Sequence, residues 1–136
     1  MSVDITYMTP LLSVFNMPAA IRFYRDILGF HVVSDSGNGE DSSWVLLQLN
    51  DCNLMLNDQY EPGHAPPAPP ADRVKWHHDT CLYFGSPEPD AVYEYLLTKG
   101  VDVKPPEIAG YGMKQLYFHD PDGYNLCFQC PVEKGK

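Results

Sequence analysis

The sequence has few basic side chains and no long apolar segment. Its 136 residues contain 9 Lys and Arg against 18 Asp and Glu, a formal net charge of −9. Proteins that bind nucleic acids or anionic membranes carry basic patches, so we predict neither partner. No apolar run approaches the roughly 20 residues of a membrane-spanning helix. The first residues, MSVDITYMTP, lack the basic end and apolar stretch of a secretory signal, so we expect a cytoplasmic protein.

Cysteine is scarce, with four residues at Cys52, Cys81, Cys127 and Cys130. A chain of this length can bury a core without disulfides, so we predict that all four are reduced. Cys127 and Cys130 match the C-x-x-C pattern. Because strand residues three apart point to opposite faces, we do not expect this pair to chelate one ion or to act as a redox dithiol.

One pattern of elements occurs twice along the chain. In the first half, Asn16 can cap a helix at 19–28 that Gly29 ends. In the second half, Ser86 and Pro87 can open a helix that Gly100 ends. The predicted strands are 10–15, 30–33, 44–49 and 53–57 in the first half, and 80–84, 101–103, 115–118 and 124–129 in the second.

The segment EPGHAPPAPPADRV, residues 61–74, separates the halves. Proline cannot sustain a helix or a central strand, so we predict a semi-rigid linker without a helix. Module one spans about 7–58 and module two about 77–130. One helix covers only one face of a four-stranded sheet, and pairing the two modules would cover the other. We therefore predict one α+β domain, with two βαβββ modules forming a cupped mixed sheet and the helices outside.

Two stretches resemble a known family, PLLSVFNMPAAIRFYRDILGF near the start and YGMKQLYFHDPDGYNLCF near the end. They are similar to the vicinal-oxygen-chelate superfamily, which includes glyoxalase I, bleomycin-resistance and fosfomycin-resistance proteins and extradiol dioxygenases. The resemblance covers about residues 7–130. It implies paired βαβββ modules and, for the bleomycin-resistance branch, a homodimer.

The resemblance also implies four positions for metal ligands, at Thr9, Met55, Asp79 and Cys127. Thr9 and Asp79 are 70 residues apart and Met55 and Cys127 are 72 apart, which predicts equivalent points in the two modules. Threonine, methionine and cysteine are poor ligands for a hard divalent ion, so we predict no metal cofactor. The alternative is one divalent metal ion held by Asp79, His77 and a further ligand such as Glu61.

Three hypotheses for the function follow. The first is a protein that binds a small organic ligand in the sheet cavity, without turnover. The second is a divalent-metal-dependent lyase, isomerase or dioxygenase-like enzyme, and the third is a metal-free enzyme with Asp79 as the general base. A cavity with few charges does not suit a phosphate or another strongly anionic ligand, and Arg22 and Arg25 are predicted to be solvated.

The predicted ligand-binding residues lie on alternate positions of the inward strands and in the loop GYGM, residues 110–113. They are His77, Asp79, Cys81, Tyr83, Met55, Asn57, Tyr111, Met113 and Cys127, and Asn53, Asn125 and Gln129 continue the same alternation. His77 and Asp79 would share a strand face. His78 and His119 are predicted to be surface residues.

Overall fold

The structure, a computed structural model, describes residues 2–132. It divides into two compact units, of which the first ends at Pro69 and the second begins at Pro70. Each unit contains a four-stranded mixed sheet. The α+β class and the tandem arrangement of modules are therefore confirmed. Within the described part of the chain, no helix is long and apolar enough to cross a membrane.

The first unit builds its sheet in the order β1-β4-β3-β2. The strands are β1 (Leu11–Val14), β2 (His31–Asp35), β3 (Trp44–Leu49) and β4 (Cys52–Asp58). β1 runs parallel to β4, and the other pairs are antiparallel. Alternate side chains of three strands are buried, as the two-residue period of a strand requires: Leu12, Val14, Val45, Leu47, Leu54 and Leu56.

Helix α1 (Met17–Arg22) follows β1 and contributes Ala20 and Ile21 to the buried core. The predicted cap is confirmed, because the Asn16 side chain accepts a hydrogen bond from the Ala19 amide at 3.1 Å. The chain continues as a π-helical turn (Phe23–Ile27), and Gly29, at φ +91°, ends it.

The Arg22 side chain is 62% exposed, as the sequence predicted, and that of Arg25 is 36% exposed, and both also form ion pairs. Both guanidinium groups bond to Glu40, at 2.9 and 2.7 Å. Glu40 belongs to a short 3-10 turn (Gly39–Asp41) after β2. The two bonds lower the pKa of the Glu40 carboxyl, so the group stays ionised at neutral pH.

The second unit orders its strands β5-β8-β7-β6. They are β5 (Cys81–Gly85), β6 (Glu107–Ile108), β7 (Met113–His119) and β8 (Asn125–Pro131). β5 runs parallel to β8, and β7 is antiparallel to β6 and β8. Helix α3 (Pro89–Thr98) packs on β7 and β8, where Leu96, Leu116 and Leu126 are buried.

Helix α3 begins later than predicted. Ser86 and Pro87 do not open it; its first residue is Pro89, and Glu88 at the cap position makes no side-chain capping bond. A proline disfavours the helical conformation of the residue before it, and Glu88 is accordingly non-helical, at φ −136° and ψ 70°. The second proline of the segment, rather than the first, therefore fixes the start of the helix.

The predicted strand at 101–103 is wrong. Residues 101–106 form no strand, and the strand that pairs with β7 is β6, after Pro105 and Pro106. Proline has no amide hydrogen to donate to a ladder, so the edge strand forms only beyond both prolines. This displacement leaves 102–106 as an open segment beside β7.

The prediction that residues 61–74 contain no helix is also wrong at their end. Arg73 and Val74 begin a short helix, α2 (Arg73–Trp76). The Arg73 side chain donates to the Asp122 carboxylate at 2.8 Å, and both side chains are only 4% exposed. This long-range ion pair holds α2 against the turn Asp120–Gly123, which a single-sequence pattern cannot show.

The turn before β8 has the predicted form. The Asp120 carboxylate accepts from the amides of Asp122 and Tyr124, each at 2.9 Å. Gly123 lies at φ +86°, and a Cβ placed there would lie 2.7 Å from Cα of Val74. Glycine is required here both by the backbone angle and by the close approach of α2.

Candidate functional site

Polar and aromatic side chains cover the face of the second sheet that lies away from α3. We call this surface the open face. Strand register places these side chains in rows, since residues directly opposite one another point the same way. The rows run Cys81–Asn125–His119, Tyr83–Cys127–Tyr117 and Gly85–Gln129–Gln115 across β5, β8 and β7. Two of the strands were assigned to this face from the sequence, whereas β7 was not.

Tyr83 and Tyr117 form the aromatic centre of this face. Their hydroxyl oxygens are 2.7 Å apart, and the rings meet edge to face with centroids 6.1 Å apart. The side chains remain 52% and 46% exposed, so ring surface is available to a bound molecule. The hydrogen bond to Tyr83, together with burial, raises the pKa of Tyr117, so this phenol is neutral at physiological pH.

The two thiols on this face are unreactive in this setting. Cys127 is fully buried beneath the tyrosines, and burial raises its pKa. Burial likewise raises the pKa of Cys81. Because the thiolate is both the nucleophile and the metal ligand, neither group is prepared for either role at neutral pH.

Gln115 ties the GYGM loop to the sheet. Its side-chain nitrogen donates to the Tyr111 hydroxyl at 2.7 Å and to Oε1 of Gln129 at 2.9 Å. The loop turns through Gly112 at φ +83°, which leads directly into Met113, the first residue of β7. Tyr111 and Met113 are thus positioned beside the open face.

Asn125 holds the turn that precedes β5. Its side-chain nitrogen donates to the carbonyl oxygens of His77, His78 and Thr80, at 3.3, 2.9 and 3.0 Å. The turn at 77–80 contains two residues that the sequence singled out, and this amide bonds to three of its four carbonyl groups.

A cavity of about 430 Å³ lies between the open face and the segment 102–109. This volume is within the range of small-molecule sites, about 300–1,000 Å³. Its lining combines apolar walls with polar groups: Asp102, Val103, Lys104, Pro105, Glu107, Ile108, Ala109, Gln115, Tyr117, Phe118, His119 and Asn125. All of these named residues belong to the second unit.

None of the nine predicted ligand-binding residues lines this cavity. Cys81, Tyr83 and Cys127 lie on the same sheet face, whereas the lining comes from β7, from the segment after α3 and from Asn125 of β8, which the strand alternation had selected. Applying the strand alternation to β7 would have selected Gln115, Tyr117 and His119. His119 is exposed, as predicted, and it also lines the cavity.

His77 and Asp79 do not share a strand face. Both lie in the turn before β5, where strand alternation does not apply, and Asp79 is exposed. The His77 ring stacks on Tyr124 with centroids 3.8 Å apart, and its buried Nε2 has no hydrogen-bond partner within the described chain. Burial and the nearby Arg73 charge lower the pKa of His77, so its imidazole is neutral at physiological pH.

The predicted equivalence of Met55 and Cys127 is wrong. Met55 lies opposite Leu11, the first residue of β1, whereas Cys127 lies opposite Tyr83, the third residue of β5. By register, the counterpart of Cys127 is Asn57, which faces the third residue of β1. A two-residue offset moves a side chain along a strand without changing its face, so alternation could not detect the difference.

The residues present do not fit the divalent ion that the resemblance implies. Among residues 2–132, no three His, Cys, Asp or Glu side chains are grouped so that they could hold a metal ion. Thr9 and Met55 belong to the first unit, and Asp79 and Cys127 to the second. If Asn57, the register counterpart of Cys127, is taken as the ligand position instead of Met55, Asp79 is still the one carboxylate among the four positions.

Several solved structures resemble the chain over nearly its whole length. The virulence protein STM3117 from Salmonella typhimurium is 24% identical, with a TM-score of 0.66 and coverage of 97% of this chain and 100% of that one. A glyoxalase/bleomycin resistance protein/dioxygenase from Nocardioides is 22% identical, with a TM-score of 0.71 and coverage of 99% and 89%. TioX from Micromonospora sp. ML1 is 16% identical, with a TM-score of 0.72 and coverage of 93% and 99%. Likeness at these identities shows the fold alone.

No curated protein matches the sequence. The model of one family, however, matches residues 5–128, nearly the entire chain. That match includes both stretches from which the resemblance was recognised, and the strand order of each unit agrees with it. The chain therefore belongs to the Glyoxalase/Bleomycin resistance protein/Dioxygenase superfamily.

Proposed function

We propose that this protein binds a small organic molecule in the cavity of its second unit. The observation that carries the proposal is the 430 Å³ concavity, in which apolar walls meet several convergent polar groups. Pockets of this size and composition are the usual sites of small ligands. Family members with this frame act on unrelated compounds, so the proposal depends on the site rather than on the fold.

The lining suggests how a ligand is held. Val103, Pro105 and Ile108 supply apolar contact on one side of the cavity, and the Tyr117 ring supplies an aromatic surface on the other. Tyr83 fixes the Tyr117 ring through the hydroxyl pair, so little side-chain freedom is lost on binding. The ligand is therefore recognised by stacking and by a small number of hydrogen bonds.

Binding without turnover is the reading that the site chemistry favours. The thiols on this face are neutral, and Asp79 does not line the cavity. Its role as a general base stays a prediction, as does the alternative metal-dependent enzyme. Under the binding proposal, Asp79→Asn is expected to leave ligand affinity unchanged. If Asp79 were a general base, the same variant would abolish turnover.

Calorimetric titration of small aromatic compounds tests the proposal. Tyr117→Ala is expected to weaken binding at least tenfold, because it removes the stacking surface. The matched control is Tyr95→Ala, since Tyr95 is a half-exposed tyrosine on α3 outside the lining. The proposal would be contradicted if Tyr117→Ala and Tyr95→Ala bound the compounds with equal affinity. It would also be contradicted if a chelator weakened binding to the parent protein.

We also propose that two copies of the chain associate through residues 3–7. Val3, Ile5 and Tyr7 are 85%, 75% and 79% exposed, and they alternate along a segment that leads into the edge strand β1. Antiparallel pairing of two copies about Ile5 sets Val3 opposite Tyr7 and Asp4 opposite Thr6. An aromatic side chain then faces a β-branched one and no like charges meet, which favours a second copy as the partner.

A further inference from the structure

The side-chain amide donors that line the cavity are already used, and this restricts what can bind. A side-chain amide has two N–H donors and one carbonyl acceptor. Both donors of Gln115 are engaged, one with the Tyr111 hydroxyl and one with Oε1 of Gln129. The group that Gln115 can still offer is its carbonyl oxygen.

Asn125 is committed in the same way and more firmly. Its nitrogen donates to three backbone carbonyls, those of His77, His78 and Thr80. Carbonyl oxygens can only accept, so the reversed amide would set its oxygen against all three of them. The orientation is fixed by this environment, and the remaining polar atom of Asn125 is an acceptor.

Two carboxylates add to these acceptors. Asp102 and Glu107 both line the cavity, and neither forms an ion pair with a described residue. Lys104 is the only lysine or arginine among the described lining residues. Counted from Asp102, Glu107 and Lys104, the lining carries a formal charge of −1, in a chain whose net charge is −9.

Acceptors and negative charge therefore prevail in this lining, which favours a ligand with hydrogen-bond donors and a positive charge. We infer that the cavity takes molecules with an apolar or aromatic body and a protonated amine. The ammonium group donates to the amide oxygen of Gln115 and pairs with the carboxylate of Glu107, which the strand register sets directly opposite Gln115, while the body lies against Tyr117. This inference rests on the proposed function and names the ligand class for the same site.

A carboxylate or phosphate ligand meets the opposite situation. Its oxygens would face the amide oxygens and the two carboxylates, with Lys104 as the one cation to offset them among the described lining residues. Like charges brought together in a partly desolvated cavity repel one another. The difference in affinity between an amine and an acid of the same shape therefore tests the inference directly.

Three probes of matched shape test it: phenethylamine, 2-phenylethanol and phenylacetate. Calorimetric titration at pH 7 is expected to show phenethylamine binding at least tenfold more tightly than phenylacetate, with the alcohol between them. Because the Glu107 contribution is electrostatic, the amine's affinity is expected to fall as salt increases.

The charge of Glu107 is tested by Glu107→Gln, which keeps the size of the side chain. The variant is expected to weaken phenethylamine by about three- to tenfold, the effect of a partly screened charged hydrogen bond, and to leave 2-phenylethanol unchanged. Glu94→Gln is the matched control, since Glu94 is an exposed residue of α3 outside the lining. Thermal unfolding of both variants checks that each is folded.

The outcomes separate the two proposals. Phenylacetate binding as tightly as phenethylamine, with Tyr117→Ala still weakening both, would overturn the inferred ligand class and leave the proposed function standing. Equal affinities of Glu107→Gln and Glu94→Gln for the amine would also overturn it. No binding of any probe would count against the inferred class and the proposed site together.

Discussion

Removing the charge of Asp122 is expected to destabilise the second unit strongly. Asp122 and Arg73 form a 2.8 Å ion pair whose side chains are each 4% exposed. In Asp122→Asn the shape is retained, but the carboxylate charge that faces the buried Arg73 guanidinium is lost. Breaking a buried pair in this way costs about 3–5 kcal/mol.

This cost is a large part of the free energy of unfolding. Domains of this size have unfolding free energies of about 5–15 kcal/mol, so the variant is expected to lose about a fifth or more of its stability. The pair also joins α2 to the turn before β8, and the segment after α2 carries the 77–80 turn that Asn125 holds. Local opening of α2 is therefore expected to reach the edge of the open face.

Urea unfolding monitored by circular dichroism measures the effect. Asp72→Asn is the matched control, since Asp72 is an exposed carboxylate paired with Lys75 at 3.7 Å, and its loss is expected to cost at most about 1 kcal/mol. The double variant Arg73→Met/Asp122→Leu is expected to recover much of the loss, because neither charge of the pair remains buried. A loss below about 1 kcal/mol in Asp122→Asn would refute this reasoning.

Three further predictions concern other parts of the molecule. Gly123→Ala is expected to destabilise the protein by about 2–4 kcal/mol in the same urea assay, because φ is +86° and the new Cβ would lie 2.7 Å from Val74 Cα. The control is Gly63→Ala, since Gly63 also has a positive φ but no atom near its Cβ position. The raised pKa of Tyr117 means that its stabilising contribution is present below the ordinary tyrosine pKa of about 10 and is lost as pH rises. Ultraviolet titration is therefore expected to show one late-ionising tyrosine that Tyr83→Phe shifts to lower pH, and an unchanged profile would count against the hydroxyl pair. Ile5→Ser/Tyr7→Ser is expected to convert a dimer into a monomer in sedimentation velocity while Val33→Ser, exposed on β2, does not; a monomeric parent protein would exclude the proposed association.

Local signals in the sequence predicted most of the fold. Asn16 as a cap, Gly29 as a stop and the Asp120–Gly123 turn each act through the backbone of adjacent residues, so the sequence alone identified them. The strand at 44–49 was predicted with its observed bounds. The errors at Ser86 and at 101–103 arose where two prolines stand close together, because the pattern does not show which one sets the boundary.

The position of the cavity and most of its lining residues could not be predicted from the sequence, for two physical reasons. The cavity depends on the segment 102–109 lying beside β7, and that placement is a long-range contact without a local signal. The donor use of Gln115 and Asn125 likewise depends on partners in distant parts of the sequence, such as His77 for Asn125. Strand alternation predicted which residues share a face, but not which part of the face is enclosed.

Mapping a bound probe by ¹H–¹⁵N NMR tests the central claim most directly. With phenethylamine as the probe, the account predicts saturable amide shifts concentrated in residues 102–109 and 115–125, with the first unit largely unaffected. Shifts concentrated elsewhere in the chain, or none at millimolar probe, would contradict the claim that this cavity is the binding site.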